Sequence, residues 1–336
     1  MSLLTSEARA QNVSSDILRD SQIARADAAA STDRHSVVSR NAFVDQAATE
    51  ESKLGFTFNF FGPLLFNSNA EAARAGGTST IEGNPEVRLG WSKKLSNWLT
   101  LSALWDASID RFVRSNDADS DTAYARMRLQ YTSDPDDDQS YAPFFSYYSP
   151  NLEFKPTFSR RTATFHSVLL GFDKVFNYGS DWKRVARVPD SSRGTVWSFG
   201  FTGSIARRYV DSRPSLYIVT AVPSLTYTPP VTPTFNLADA HWNVSFEVDT
   251  RYRIYDQHGG QSRRDWFLEP ILTIEFLPPF AWFGGKIKQL QEKRVVSHGR
   301  PTVDFQVALT QLDSNEPGAR YRQWAIGPTI KLTWSF

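Results

Sequence analysis

The sequence predicts an all-β fold, a transmembrane antiparallel up-and-down β-barrel of about twelve strands with an α-helical N-terminal arm. Three observations predict it. Apolar and polar residues alternate with a period of two through most of residues 53–336, the mark of strands with one apolar face. Aromatic residues recur ten positions apart on single faces. No uninterrupted apolar run approaches the roughly 18 residues of a membrane helix.

Composition narrows the function classes. The chain has 336 residues, with 37 Lys plus Arg against 36 Asp plus Glu, so it lacks the basic excess of a nucleic-acid-binding surface. Cysteine is absent, which removes a disulfide frame, a thiolate metal site and a thiol nucleophile. Near the start, Ala8-Arg9-Ala10 has the small-x-small form of an export-signal cleavage site, yet only Ser2-Leu3-Leu4 stands where an apolar core belongs. Both a shortened signal and a polar terminus fit.

Residues 1–52 form the arm. From Ser14 to Lys53 it is rich in Ala, Ser, Asp and Arg, without Pro or Gly. Ser14, Ser15 and Asp16 can cap a helix, and the apolar stripe Ile17, Leu18, Ile23 and Ala24 is too narrow to pack on a large core. The arm is expected either beneath the barrel or inside its lumen.

Residues 53–336 form the barrel. In "WLTLSALWDASID", Leu99, Leu101, Ala103, Trp105, Ala107 and Ile109 share one face, with Leu104 the one apolar exception on the other. Eleven further segments read the same way: 54–61, 86–93, 122–131, 141–148, 162–176, 195–207, 215–227, 241–255, 265–277, 302–312 and the closing stretch. An even count with both ends on one side suits a closed barrel. The links on the side opposite the termini, including "SPNLEFKPTFSRR" and "RSNDADSD", read as long, although "NYGSDWKRVARVPDSSRG" is a long link on the terminus side.

A soluble sandwich also alternates, and the aromatic interval separates the two. Trp242 and Tyr252, Trp266 and Phe276, and Trp324 and Trp334 each lie ten residues apart on one face. Ten residues at about 3.3 Å, tilted by about 40°, rise roughly 25 Å, the height of the apolar band in a membrane barrel. These six are the expected interface aromatics. Between them the face carries no charge, whereas the companion face carries Glu247, Asp249, Arg251 and Arg253 on one strand alone.

The tail "TIKLTWSF", with Ile330, Leu332, Trp334 and Phe336 at alternate positions, resembles the C-terminal signal of bacterial outer-membrane β-barrel proteins. The layout is similar to twelve-stranded outer-membrane barrels, including autotransporter translocators that carry a helix in the lumen. The resemblance implies a Gram-negative outer membrane, recognition of Phe336 by the barrel-assembly machinery, and contact with outer-membrane lipid and lipopolysaccharide. A periplasmic partner or an oligomer through the arm is a further expectation.

Twelve strands lie between the filled eight-stranded barrel and the open sixteen-stranded channel. The expected lumen lining is Arg88, Asp106, Asp110, Arg126, Arg128, Glu247, Asp249, Arg251, Arg253, Asp304 and Lys331. It either sorts solutes by charge or braces the interior. Asp106 and Asp110 precede, and Arg126 and Arg128 follow, one hairpin link, so they are expected to pair across it. The function expected is a channel or translocation pore for small polar or polymeric solutes, or the barrel of an envelope complex. The alternatives are a lipid hydrolase and a scaffold.

Catalytic signals are poor, and the chain is expected not to be an enzyme. His166 and Ser167 are adjacent in a strand and so face opposite ways. His258-Gly259-Gly260 has no Gly-x-Ser-x-Gly beside it, and His35, His241 and His298 stand alone. No cofactor and no metal is expected. Asp117, Asp119 and Asp121 could hold a divalent cation but lack the glycine and glutamate of an EF-hand loop.

Overall fold

The computed structural model describes residues 55–69, 77–114, 116, 119–134, 141–182, 196–211, 214–229, 241–256, 262–277, 302–316 and 319–335. The strands are β1 (Phe56–Asn67), β2 (Thr80–Gly83), β3 (Glu86–Ser96), β4 (Leu99–Phe112), β5 (Ser120–Tyr131), β6 (Ala142–Phe154) and β7 (Arg161–Tyr178). They continue with β8 (Trp197–Val210), β9 (Leu216–Tyr227), β10 (His241–Tyr255), β11 (Arg264–Leu277), β12 (Thr302–Ser314) and β13 (Tyr321–Ser335). β2 and β3 both pair antiparallel with β1 and with β4, each strand from β4 on pairs antiparallel with the next, and β13 closes on β1 from Thr57 opposite Ser335 to Asn67 opposite Ala325. No edge is left unpaired, which is what backbone in hydrocarbon requires.

Thirteen named strands fill twelve wall positions. β2 and β3 pair with successive parts of β1 in one register, Leu64 opposite Gly83 and Phe61 opposite Glu86. Pro85 separates them because it has no N–H for the ladder. Each expected strand has its counterpart, while β2 escaped the alternation because Thr80–Gly83 is only four residues long.

One end of the barrel, here the terminus end, receives Gly55 and Ser335. At the far end one link, 68–79, is longer and the rest are short: 113–119, 155–160, 211–215, 256–263 and 315–320. The terminus end carries 179–196, 228–240 and 278–301. The expected asymmetry is therefore reversed. Most of "SPNLEFKPTFSRR" belongs to β6 and β7, which run past the bulge at Ser149-Pro150 to a turn over Lys155–Arg160. The arm expected for residues 1–52 lies outside the described residues.

The wall has two chemistries. Outward face Leu89, Trp105, Met127, Phe145, Leu170, Phe201, Ile205, Phe246, Leu272, Ile274, Phe305 and Ile330, all more than a third exposed. A water-soluble domain does not leave so wide an apolar band uncovered. Inward, the same strands bury Arg88, Asp106, Arg128, Ser146, Ser204, Asp249, Glu275 and Asp304. Leu104, the exception in its strand, turns inward and packs on Tyr124 and Tyr148.

Aromatic rings mark both borders of the band. At the terminus end Trp98 stacks on Tyr131 at 6.1 Å, and Trp182, Trp197, Tyr227 and Trp242 follow one another at 5.4, 4.6 and 6.3 Å. At the far end Tyr252 and Trp266 meet at 4.8 Å, and Trp324 is outward on β13. Trp242 lies opposite Phe276, and Tyr252 opposite Trp266, so the ten-residue intervals of β10 and β11 are one pair of borders. Trp334 pairs through its backbone with Phe58. Its side chain and Phe336 lie outside the described residues.

Candidate functional site

The charged interior is built by strand parity. β3 turns Glu86 and Arg88 inward; β4 turns Asp106, Ser108 and Asp110 inward; β10 turns Glu247, Asp249, Arg251 and Arg253 inward. Ten of the eleven expected lumen residues are less than a tenth exposed. Lys331 is partly exposed on β13. β4 and β10 stand half-way round the barrel from each other, so two charged walls face across the lumen.

On one wall, Arg88 donates from Nε to Asp106 Oδ2 at 3.0 Å and from Nη2 to Glu86 Oε1 at 2.5 Å, with its guanidinium 5.0 Å from the Phe61 ring. Neither Arg88 nor Asp106 is solvent-exposed. Beside them Arg128 lies 3.9 Å from the Phe144 ring and 3.3 Å from Asp173 Oδ2. Asp173 Oδ1 accepts from Thr202 at 2.7 Å. Arg126 reaches the Tyr148 hydroxyl at 3.5 Å.

The expected pairing of Asp106 and Asp110 with Arg126 and Arg128 is not what forms. The β4–β5 register sets Asp106 opposite Tyr124, Asp110 opposite Ser120, and Arg126 opposite Leu104. The long guanidinium arms therefore reach other strands, Arg128 to β7 and Arg126 to β6. Asp110 instead accepts from Asn84 Nδ2.

On the other wall, Asp249 and Arg251 pair two residues apart on one strand. Arg251 and Arg253 lie 5.3 and 5.1 Å from the Phe267 ring. Toward the terminus end Lys331 Nζ bridges Asp304 and Glu275, the latter at 3.5 Å, and Asn243 Nδ2 donates to Glu275 Oε1 at 3.0 Å. Arg88, Asp110, Arg126, Glu247, Asp249, Arg251 and Arg253 each have further interactions besides these.

Sequence reasoning missed an inward apolar tier near the far end. Phe267, Leu312, Ala319 and Tyr321 form one buried cluster; Ala206, Leu216 and Ile218 form another, with Leu169, Val210 and Tyr255 against it. Phe112 and Phe165 are buried too. The available signal was a run such as "LYIVTAV" in β9, apolar at positions of both parities.

The far rim is tied by ion pairs. Arg111 meets Asp121 at 2.6 Å, and Asp121 also accepts from the Phe158 N–H at 2.6 Å. Asp119 Oδ1 accepts from the Phe112 N–H at 2.9 Å. These two carboxylates are thus committed to the wall. Among the described residues no group of three His, Asp or Glu could hold a metal ion. Arg207 forms a two-point pair with Asp256 at 2.8 and 2.6 Å, which holds the Asp256 carboxyl below its usual range.

An apolar outer band bordered by aromatics, a polar and charged interior, and a wall without edges together have one solvent in which they are stable. The chain is a closed transmembrane β-barrel. No protein-family model matches the barrel, and no curated protein matches it. Among solved structures it is similar to an outer membrane channel from Pseudomonas putida F1, at 12% identity and TM-score 0.48, over 85% of this chain and 97% of that one. It is similar to the translocator domain of the autotransporter NalP from Neisseria meningitidis, at 12% identity and TM-score 0.41, over 94% and 98%. It is also similar to LpxR from Salmonella typhimurium, at 9% identity and TM-score 0.40, over 83% and 100%.

Proposed function

We propose that the barrel is a plugged outer-membrane channel for polar solutes, with the chain before Gly55 as the plug. The observation that carries this reading is the burial of the lumen charges. Twelve strands about 4.8 Å apart and tilted by about 40° enclose a backbone circle roughly 24 Å across. Side chains reaching about 6–7 Å from each wall leave a core on the order of 10 Å, the width of one helix. Yet Arg88, Asp106, Asp249, Arg251 and Arg253 are at most 2% exposed. The segment 1–54 joins the wall at the terminus end through Gly55 and carries both signs of charge in Asp16, Arg19, Asp20, Arg25 and Asp27.

With the plug displaced, the facing walls of Arg88, Arg126 and Arg128 and of Glu247, Asp249, Arg251 and Arg253 are a field that sorts solutes by charge. Phe336 would serve the assembly machinery, and the Arg-bearing far rim would meet lipopolysaccharide. The lumen itself performs no bond chemistry. In planar bilayers the full chain is expected to conduct weakly and a variant lacking residues 1–52 strongly. Arg126→Ala/Arg128→Ala in that variant is expected to shift its ion selectivity toward cations. Equal conductance with and without the arm rules out the plug, and unchanged selectivity rules out the filter.

A further inference from the structure

Ser149 Oγ and His166 Nδ1 share a 2.7 Å hydrogen bond on the outer face of the wall. We propose that this pair is a hydrolytic site that cleaves the acyl ester of a membrane lipid. The expectation of a non-enzymatic chain considered Ser167, which is buried in the lumen, and not Ser149.

The pair arises from the β6 bulge. Phe144 and Ser146 point inward below it, Asn151 and Glu153 above it, so one residue has been inserted and the parity has switched. The ladders to β5 and to β7 both skip Ser149 and Pro150. Ser149 keeps the outward parity of Phe145 and Tyr147, with Pro150 as the added residue, and so stands on the outer face, where β7 turns His166. Bulges are frequent beside active sites.

The height on the wall selects the substrate. Beneath the pair the outward residues are Tyr147, Val168 and Leu170, 41%, 37% and 63% exposed, a surface for acyl chains. Above it Thr164 and Asp211 exchange hydrogen bonds, the Thr164 N–H donating to Asp211 Oδ1 at 2.9 Å. His166 lies opposite Tyr209, beyond the charged Arg207 on β8. The hydroxyl and imidazole therefore sit where the wall changes from apolar to polar, the level of a lipid's ester carbonyls. Any ester that touches this wall is presented to Ser149 without leaving the bilayer.

The chemistry needs no further reactant than water. Ser149 Oγ attacks the carbonyl carbon as His166 Nδ1 takes its proton. The tetrahedral adduct collapses, the C–O bond to the lipid alcohol breaks, and the imidazolium protonates the departing oxygen. A water molecule then attacks the acyl-serine while His166 removes its proton. Collapse releases the fatty acid and returns the proton to Ser149.

The test uses the full chain in mixed micelles of detergent and acyl-labelled phosphatidylethanolamine, with a parallel arm containing lipid A. Labelling by a fluorophosphonate is mapped to the residue. Label on Ser149, with fatty-acid release reduced about 100-fold or more in Ser149→Ala and in His166→Ala, supports the proposal. Both positions are on the outer surface, and retention of the heat-modifiable barrel band shows that the variants fold. Label confined to other serines, or release unchanged by Ser149→Ala, overturns it. Conductance tests the plugged channel separately, since neither variant touches the lumen.

Discussion

Replacement of Arg88 by methionine measures how dry the lumen is. Arg88 is completely enclosed and holds two carboxylates, Glu86 at 2.5 Å and Asp106 at 3.0 Å. Methionine keeps much of the volume and removes the charge, leaving two neighbouring carboxylates without that cation. In a packed, water-poor interior, breaking such a cluster costs about 3–5 kcal/mol. In a water-filled channel the same pair is worth about 0–1 kcal/mol. The assay is reversible urea unfolding into lipid vesicles, with the change read as a midpoint shift at constant slope. The triple variant Arg88→Met/Glu86→Gln/Asp106→Asn removes the charges together and should recover most of the loss. A loss below about 1 kcal/mol for Arg88→Met alone would refute a packed lumen, and the plug with it.

Three further outcomes are expected. Leu272→Arg places a charge in the middle of the outer band, where Leu272 is 41% exposed, and should cost about 2–4 kcal/mol in the same unfolding assay. Gly327→Val should prevent closure, because a Cβ there would lie 2.1 Å from the Leu64 carbonyl oxygen on the seam strand; loss of the heat-modifiable band checks it. The Asp256 carboxyl is held low chiefly by its hydrogen bonds from Arg207, so its contribution is present above the unfolded value of about 3.9 and lost as pH falls through the folded one. Asp256→Asn should therefore lower stability near pH 7, leave it nearly unchanged at pH 2 and so flatten the acid limb of the stability profile, as thermal melting across pH 2–7 would show.

The wall was legible because lipid imposes a strict rule: every outward position must be apolar and every second residue is outward. The outward placement of Trp242, Tyr252, Trp266 and Phe276 could be read from spacing alone. Lumen partners were not legible in the same way. Asp106 finds Arg88 rather than Arg126 because pairing follows the register, and the register depends on how many residues the 113–119 link leaves out of the ladder. Guanidinium arms also span two strands, as Arg128 does to Asp173, so adjacency in sequence says little about contact. Ser149 was hidden for a third reason. It lies one residue past the expected strand 141–148, on the outward parity of Tyr147, and it meets His166 only through the β6–β7 pairing, which spacing within either strand does not display.

The reversed lengths of the links bear on how the barrel could close. A link of about eight residues folded back on itself reaches at most ~14 Å, too little to cover a mouth roughly 24 Å wide. Most far-end links are no longer than that. The longer link 68–79 is held at the rim where it leaves β1, the Ser68 N–H donating to the Trp324 carbonyl at 2.9 Å and Asn69 Nδ2 to the Arg322 carbonyl at 3.0 Å. Where it returns, a Cβ on Gly77 would meet Asn69 Oδ1 at 1.7 Å, so the ends of the link lie against each other. The inward apolar tier of Phe112, Phe165, Leu216, Phe267, Leu312 and Tyr321 lines the wall near the far mouth, where under the proposed channel reading it would act as a dewetting constriction. The arm proposed as the plug joins β1 at the terminus end, through Gly55. Opening should therefore respond to events at that end: cross-linking an arm cysteine to one introduced at Asn243, inside the lumen, is expected to lock conductance low, and reduction to release it.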